Sequence, residues 1–300
     1  MLRAALGAAI VLGACGRFAF DARSDAQAGT GDTGDGDIDA PPDATPPTGP
    51  FGTAVPVASL DTASGEDDPS LTGDQLEIVF NSDRAGGVGA GDIWTATRTS
   101  ITSAWGTATN LTSLNTAGDD ATPSLSRDGL TLFWTAGGSQ GLKDLFVSTR
   151  ATRTDAWGPA VELTAISTAG DEAGPILSAD GLELYFASDL PGNDNLFVSQ
   201  RASPQGAFTT SAAITELNTA AADHEPWING TKTFLVWTST RVSGNDDIWM
   251  SRRPNAQSMW GTAQPISELN TAAGESDPWL SPDETTIYFA RGTDIFMATR

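Results

Sequence analysis

A phrase that recurs five times constrains the fold of this chain more than any other feature. Aligned on one proline, the copies read TASGEDDPSLTGD, TAGDDATPSLSRD, TAGDEAGPILSAD, TAAADHEPWINGT and TAAGESDPWLSPD. The successive prolines lie 51 to 54 residues apart. A repeat of this length indicates a structure built from equivalent supersecondary units. The prolines are Pro69, Pro123, Pro175, Pro226 and Pro278.

Each unit carries the signals of four short strands. An aromatic residue opens the unit, and the proline is followed by a strand pattern, an Asp-Gly-like turn and two more apolar runs, such as TLFW and DLFVSTR. β-branched and aromatic residues separated by Gly, Asp and Pro turns are typical of a propeller blade. The sequence therefore predicts an all-β fold, a five-bladed β-propeller of four-stranded antiparallel blades.

The phase of the repeat predicts how the ring closes. The first unit begins with the outer-strand run TAVPVASL, and the last unit ends on DIFMATR. An outer strand normally completes the blade of the preceding unit, but the first unit has no predecessor. We therefore expect residues at about 54–60 to pair with residues at about 294–300, which would remove the exposed sheet edges.

The N-terminus has the features of a cleaved export signal. MLRAALGAAIVLGACG contains one Arg, an apolar run and small residues, and is too short to span a bilayer. Leu12-Gly13-Ala14-Cys15 resembles a bacterial lipobox, which implies a signal peptide at 1–14, lipidation of Cys15 and, with Gly16, an outer membrane lipoprotein facing the periplasm or the cell surface. The alternative is an ordinary secretory signal with a chance cysteine.

Residues 15–50 differ in composition from the repeats at 51–300. They are rich in Asp, Gly, Thr and Pro, with few large apolar side chains. Such a segment buries too little surface to offset its ordering entropy, so we expect a disordered acidic tether. Because Cys15 is the only cysteine, the propeller must be stabilised by packing without disulfides.

The charge balance limits the partners. The net charge is −22, and residues 51–300 hold 13 basic and 31 acidic residues. Such a domain repels nucleic acid and anionic membrane surfaces. We therefore expect no nucleic acid ligand, membrane contact only through the lipid anchor, and a monomer that binds basic proteins, cations or neutral glycans.

The repeats resemble a known family. PSLSRDGLTLFW followed by DLFVS is similar to the TolB-type WD-like propeller repeat, and the match covers all five units. Unit four departs from the pattern, with Asn229-Gly230-Thr231 at the turn. TolB also has an N-terminal α/β domain, in whose place this chain has the tether. The resemblance therefore implies a periplasmic propeller that docks other molecules, rather than the specific role of TolB in the Tol-Pal system.

An acidic residue recurs three positions before each proline. We expect the five carboxylates to lie around one mouth of the central channel. They either cap backbone N–H groups of their own turns or form a ring that binds a cation such as Ca²⁺. The five are Glu66, Asp120, Glu172, Asp223 and Glu275.

Units four and five depart from the common pattern, with DHEPWI and ESDPWL at the channel mouth. Aromatic faces beside carboxylates suit a sugar or a cationic side chain. The alternative is that the two tryptophans fill space between blades. The candidate ligand-binding residues are Asp223, His224, Glu225, Trp227, Glu275, Asp277 and Trp279.

No catalytic set stands out. A single histidine excludes a multi-histidine zinc site. Paired carboxylates are compatible with glycoside hydrolysis. The sequence therefore favours a non-catalytic, lipid-anchored cell-envelope propeller that binds an envelope protein or a glycan. The alternative is a glycosidase-like, carbohydrate-active enzyme with its site at the acidic channel mouth.

Overall fold

The computed structural model describes residues 47, 49–140, 142–190, 192–242 and 244–300. These residues form twenty β-strands in five four-stranded antiparallel sheets, so the predicted five-bladed propeller is confirmed. The predicted signal peptide, Cys15 and nearly all of the tether at 15–50 lie outside the described residues. Within the described residues, no helix reaches the length and hydropathy that crossing a bilayer requires.

Each blade begins with an inner strand and ends with a two-residue outer strand. The five inner strands contact one another in a ring around the axis. They begin at Glu66, Ala121, Glu172, Asp223 and Glu275. Blades 1 and 2 are β2 Glu66–Leu71, β3 Glu77–Ser82, β4 Asp92–Thr97 and β5 Thr109–Asn110, then β6 Ala121–Leu125, β7 Thr131–Ala136, β8 Asp144–Thr149 and β9 Val161–Glu162. Blades 3 and 4 are β10 Glu172–Leu177, β11 Glu183–Ser188, β12 Asn195–Gln200 and β13 Ala212–Ala213, then β14 Asp223–Ile228, β15 Phe234–Ser239, β16 Asp247–Arg252 and β17 Gln264–Pro265.

Blade 5 joins the two ends of the repeat region. It consists of β18 Glu275–Leu280, β19 Thr286–Arg291, β20 Asp294–Thr299 and, as its outer strand, β1 Val55–Pro56. Val55 lies opposite Met297, and Pro56 lies opposite Phe296. The predicted closure is confirmed, with a sheet pairing as short as that of the other outer strands.

A cation–π contact fixes the end of each unit to the start of the next. The last Arg of a unit stacks on the aromatic residue that opens the following outer segment, and Arg300 stacks on Phe51 across the closure at 4.5 Å from the ring centroid. Such a cation–π contact stabilises a guanidinium that lies on an aromatic face and is partly removed from water. The other four pairs are Arg98 on Trp105, Arg150 on Trp157, Arg201 on Phe208 and Arg253 on Trp260.

An asparagine ties the outer segment to the preceding blade in most units. The Oδ1 of Asn115 accepts the N–H of Ile93 at 2.9 Å, and its Nδ2 donates to the Ile93 carbonyl at 3.0 Å. Asn218 and Asn270 repeat this bridge. At the closing seam the equivalent residue is Asp61, whose ionised carboxylate has no N–H to donate.

The seam also gathers negative charge around Asp61. One oxygen from each carboxylate of Asp61, Glu66 and Asp294 lies within 4.8 Å of the others. Burial, then the charges of Asp294 and Glu66, raises the pKa of Asp61 above 3.8, although Arg84 opposes the shift. A carboxyl with a raised pKa in the folded state contributes stability that is present at low pH and is lost as the pH rises through that pKa.

We predict that Asp61→Asn stabilises the propeller by about 0.5–1.5 kcal/mol, because the amide can bridge the backbone of Ile295 and removes one charge. The gain should be larger at about pH 7 than at about pH 4, where the native carboxyl is partly protonated. Urea unfolding at both pH values measures it. Asn115→Asp is the matched control and should destabilise; a variant at position 61 as stable as the native chain at both pH values contradicts the prediction.

Candidate functional site

The recurring carboxylates are fully buried and hold their own turns. The backbone N–H of Thr62 donates to Glu66 at 2.9 Å, and the equivalent N–H of Thr271 donates to Glu275 at 2.7 Å. Asp120, Glu172 and Asp223 accept the same bond from the threonine four residues earlier. The capping alternative therefore describes these five residues.

Arginine side chains pair with three of the recurring acids. Arg291 Nε lies 2.8 Å from Glu275, and Arg84 lies 3.1 Å from Glu66. Arg241 pairs with Asp223 in the same way. Because these carboxylates are engaged within their own blades, the predicted ring of Glu66, Asp120, Glu172, Asp223 and Glu275 is not the lining of the channel.

The channel is lined instead by the residue directly before each proline. A register shift interrupts the pairing of each inner strand at this point. The residue adopts a positive φ of 45° to 61°, which is uncommon outside glycine. At Gly174 a Cβ would lie 2.9 Å from the Cα of Glu225, so the channel is narrow. The five residues that precede the prolines in the channel lining are Asp68, Thr122, Gly174, Glu225 and Asp277.

Three carboxylates converge in this channel. Asp68, Glu225 and Asp277 each place one oxygen within 4.8 Å of the others. They border a cavity of about 50 Å³, and the buried Oδ1 of Asp277 has no hydrogen-bond donor among the described residues. Three oxygen donors in so small a space can share protons or bind a hard cation.

Burial drives the protonation of two of these acids. It raises the pKa of Asp68 well above 3.8, with Asp277 as the next cause, and it raises the pKa of Asp277 with Glu225 as the next cause. Glu225 behaves differently: burial acts to raise its pKa, but the charge of His224 and the hydrogen bonds from His224, Asp277 and Thr238 together outweigh burial and lower it to about 2. Burial and the neighbouring carboxylates therefore favour the protonated form of Asp68 and Asp277, whereas the surroundings of Glu225 favour its ionised form.

His224 lies between two carboxylates at the channel mouth. Its Nδ1 is 3.1 Å from Glu225 Oε2, and its Nε2 is 3.3 Å from Asp246 Oδ1. Burial acts to lower the pKa of His224, but Glu225 and Asp246 together raise it well above 6.5. His224 is thus an imidazolium at neutral pH, which is the wrong form for a metal ligand or a general base.

The two tryptophans of the predicted ligand site are buried in the core. Trp227 meets Phe234 edge-on at 6.3 Å between ring centroids, and Trp279 meets Tyr288 at 6.0 Å. Both border the channel cavity, but only 4% of Trp227 and 5% of Trp279 is exposed. This packing corresponds to the space-filling alternative.

The structure adds Asp68 to the site, which sequence reasoning missed. Of the predicted residues, it brings Glu225 and Asp277 together in the channel and places Asp223 and Glu275 in buried turns. A sequence signal for Asp68 was present: the position before the proline reads Asp, Thr, Gly, Glu and Asp in the five copies, whereas the recurring acid is always acidic. Variation at one position of a repeat marks residues that the fold itself does not require.

Comparison with known proteins reports on the fold. No protein-family model and no curated protein matches the sequence. A protein from Agrobacterium tumefaciens described as TolB matches with a TM-score of 0.52 at 13% identity, over 80% of this chain and 77% of that chain. The chain has the propeller fold of the TolB proteins.

Solved enzymes share this fold as well. An endo-arabinase from Bacteroides thetaiotaomicron matches with a TM-score of 0.56 at 14% identity, over 82% of this chain and 96% of that chain. An α-L-arabinofuranosidase from Podospora anserina matches with a TM-score of 0.52 at 13% identity, over 78% of this chain and 90% of that chain. At such identities the likeness shows the fold alone, and function has to be argued from the site.

We predict that two equivalent substitutions of the recurring acid differ in their cost. Glu275→Gln removes the negative charge that pairs with the mostly buried Arg291. It should lower the free energy of unfolding by about 3 kcal/mol. Glu172→Gln, which has Thr168 and Ser188 as partners and no arginine, should cost at most about 1 kcal/mol, because the amide retains an acceptor for Thr168. Urea unfolding compares the two; equal losses would show that the arginine pair is not the source of the difference.

Proposed function

We propose that this chain is a non-catalytic cell-envelope propeller, anchored through lipidated Cys15, that binds a basic segment of a partner protein at the channel mouth. The observation that carries the proposal is the acidic mouth, where five aspartates lie around His224 and the three-carboxylate cluster. One of them, Asp119, pairs with Lys143 at 2.8 Å. A cationic segment complements the remaining charge. The five aspartates are Asp67, Asp119, Asp171, Asp194 and Asp246.

Apolar loop tips on the same side of the propeller support a protein partner. Strand β3 ends beside the start of β2, since Ser82 lies opposite Glu66, so the loop after β3 and its equivalents lie on the mouth side. Four of these loops carry an exposed aliphatic side chain, whereas blade 5 has only a two-residue turn. Exposed aliphatic side chains at loop tips can supply the apolar contacts that a protein interface buries. The side chains are Val88, Leu142, Leu190 and Val242.

The dimensions of the channel support binding over glycoside hydrolysis. The oxygens of Asp68, Glu225 and Asp277 lie within 4.8 Å of one another, whereas glycosidase carboxylates stand about 5 Å or more apart with the sugar between them. The cavity of about 50 Å³ is far below the roughly 300 Å³ of a typical small-molecule site.

A divalent cation is part of the proposal. Asp68, Glu225 and Asp277 offer oxygen ligands, and the Oδ1 of Asp277 is buried without a donor. Ca²⁺ binds such oxygens readily and would replace the protons that Asp68 and Asp277 otherwise retain. The proposed cation site therefore consists of residues directly before the prolines, rather than of the recurring acids.

We predict that Ca²⁺ raises the melting temperature of the protein and that EDTA reverses the effect. Asp277→Asn should raise the melting temperature without Ca²⁺, because it removes the cost of keeping a buried carboxyl protonated at neutral pH, and should abolish the response to Ca²⁺. Asp283→Asn, in a turn far from the channel mouth, is the control and should keep the response. A native protein that does not respond, measured by calorimetry after EDTA treatment, contradicts the cation.

We predict that Val242→Ser weakens binding of a peptide of alternating Lys and Leu about three- to tenfold, because the loop loses apolar contact. Met259→Ser is the control: Met259 is 75% exposed against 74% for Val242, and it lies in a loop on the opposite face. Isothermal titration measures both, with a Glu and Leu peptide as the charge control. Equal affinity for the two peptides, or turnover of a glycan library by the native protein, would overturn the proposed function.

We predict that Cys15→Ser moves the protein from the membrane fraction to the soluble fraction of a bacterial host. Without acylation the exported chain has no anchor. Membrane retention of the variant, measured by fractionation against the native chain, contradicts the lipid anchor but leaves the binding proposal standing.

A further inference from the structure

The last arginine of each unit lies at the junction between neighbouring blades. Its Nε donates to a carbonyl in the preceding hairpin turn of its own blade, as Arg150 does to Gly129 at 2.8 Å. Its terminal nitrogens are then directed at the previous blade. Arg150 reaches Glu77 Oε2 at 2.6 Å, with side chains only 5% and 7% exposed. This pair shows that the junction between blades can hold a carboxylate against the guanidinium.

The arginines of blades 1, 4 and 5 each lie beside a tyrosine or a carboxylate. Arg98 lies beside the hydroxyl of Tyr288. Arg253 lies 3.5 Å from the hydroxyl of Tyr185. Arg300 lies 3.5 Å from Glu284 in its own blade.

Arg201 of blade 3 is the exception. Its Nε donates to the Gly181 carbonyl at 2.6 Å and its plane stacks on Phe208, but within the described part of the chain its two terminal nitrogens have no hydrogen-bond acceptor. Burial lowers its pKa, with no carboxylate opposing the shift. The previous blade carries Thr131 and Phe133 at the positions where other blades supply Glu77 or a tyrosine.

The missing partner leaves a groove between blades 2 and 3. An apolar pocket of about 440 Å³ is lined by Phe133, Val147, Leu163 and Phe208, with Arg201 at its edge. Arg201 also borders an adjoining, more polar pocket of about 550 Å³. Each volume lies within the range of roughly 300–1,000 Å³ that is typical of small-molecule sites.

The acids nearest to this groove are already engaged. Lys232 Nζ lies 2.7 Å from Asp180. Ser139 donates to Glu162 at 2.6 Å, and Ser126 donates to Asp128 at the same distance. Arg201 therefore lies at the boundary between the two pockets as a guanidinium whose terminal nitrogens have no acceptor among the described residues.

We propose that this groove binds a small amphipathic carboxylate, a single aliphatic chain or aromatic ring ending in one carboxyl group. The carboxylate pairs with Arg201 as Glu77 pairs with Arg150, and the apolar part lies against Phe133, Val147 and Phe208. The site is independent of the channel mouth, because it lies between two blades away from the axis.

Octanoate is the probe, and isothermal titration at about 0.15 M salt is the measurement. The native protein should bind octanoate with a Kd of about 1 mM or lower. Octanamide, which lacks the charge, should bind at least about tenfold more weakly. Acetate, which lacks the chain, should show no measurable binding.

Two variants of the groove and one matched control separate the site from general effects. Arg201→Gln should weaken octanoate binding at least about tenfold. Thr131→Glu supplies an internal carboxylate at the position of Glu77, so it should abolish binding while retaining a folded protein. Arg253→Gln, at an equivalent junction filled by Tyr185, should bind octanoate like the native chain. No octanoate binding by the native protein, equal binding of octanamide, or unchanged binding by Thr131→Glu overturns the proposal.

Discussion

The closing seam is the interaction on which the rest of the molecule depends. Two residues, Val55 and Pro56, complete the sheet of the C-terminal strand, and Arg300 stacks on Phe51 beside them. Closure removes the free sheet edges of a five-unit array and holds the five inner strands around one axis. The channel exists only because of this closure. Asp61, the one acid among the bridging positions of the outer segments, is placed at this junction.

Acidic residues two positions apart in one turn have separate roles. Glu66, Glu275 and their equivalents are buried and accept hydrogen bonds from their own turns, so their charge is compensated locally. Asp68 and Asp277 follow in a left-handed bulge that directs them to the axis, where they lie close to each other and to Glu225. Hydrogen bonds within the turn stabilise the buried carboxylates of each blade, whereas the close approach of three carboxyl groups at the axis creates a site with affinity for protons, a cation or a basic partner.

Departures from the repeat coincide with every candidate site. Asp68, Glu225 and Asp277 stand where other copies have Thr122 and Gly174. Thr131 stands where blade 1 has Glu77, and this exchange leaves Arg201 unpaired next to a cavity. The common positions are required by packing and turn geometry, so they are constrained in each unit. Functional chemistry is therefore found at the positions that the fold leaves free to vary.

The amino-acid sequence by itself determined the blade count, the strand order and the closure, because strand alternation, turn residues and a fixed period are local properties that repeat along the chain. Only the tertiary structure decided which acids face the axis. Asp68 and Asp277 are distant in the chain. The direction of each side chain depends on a positive φ before the proline, which no local sequence pattern predicts. Only the tertiary structure also shows that the terminal nitrogens of Arg201 lack a partner, because the residues that could supply one belong to the neighbouring blade.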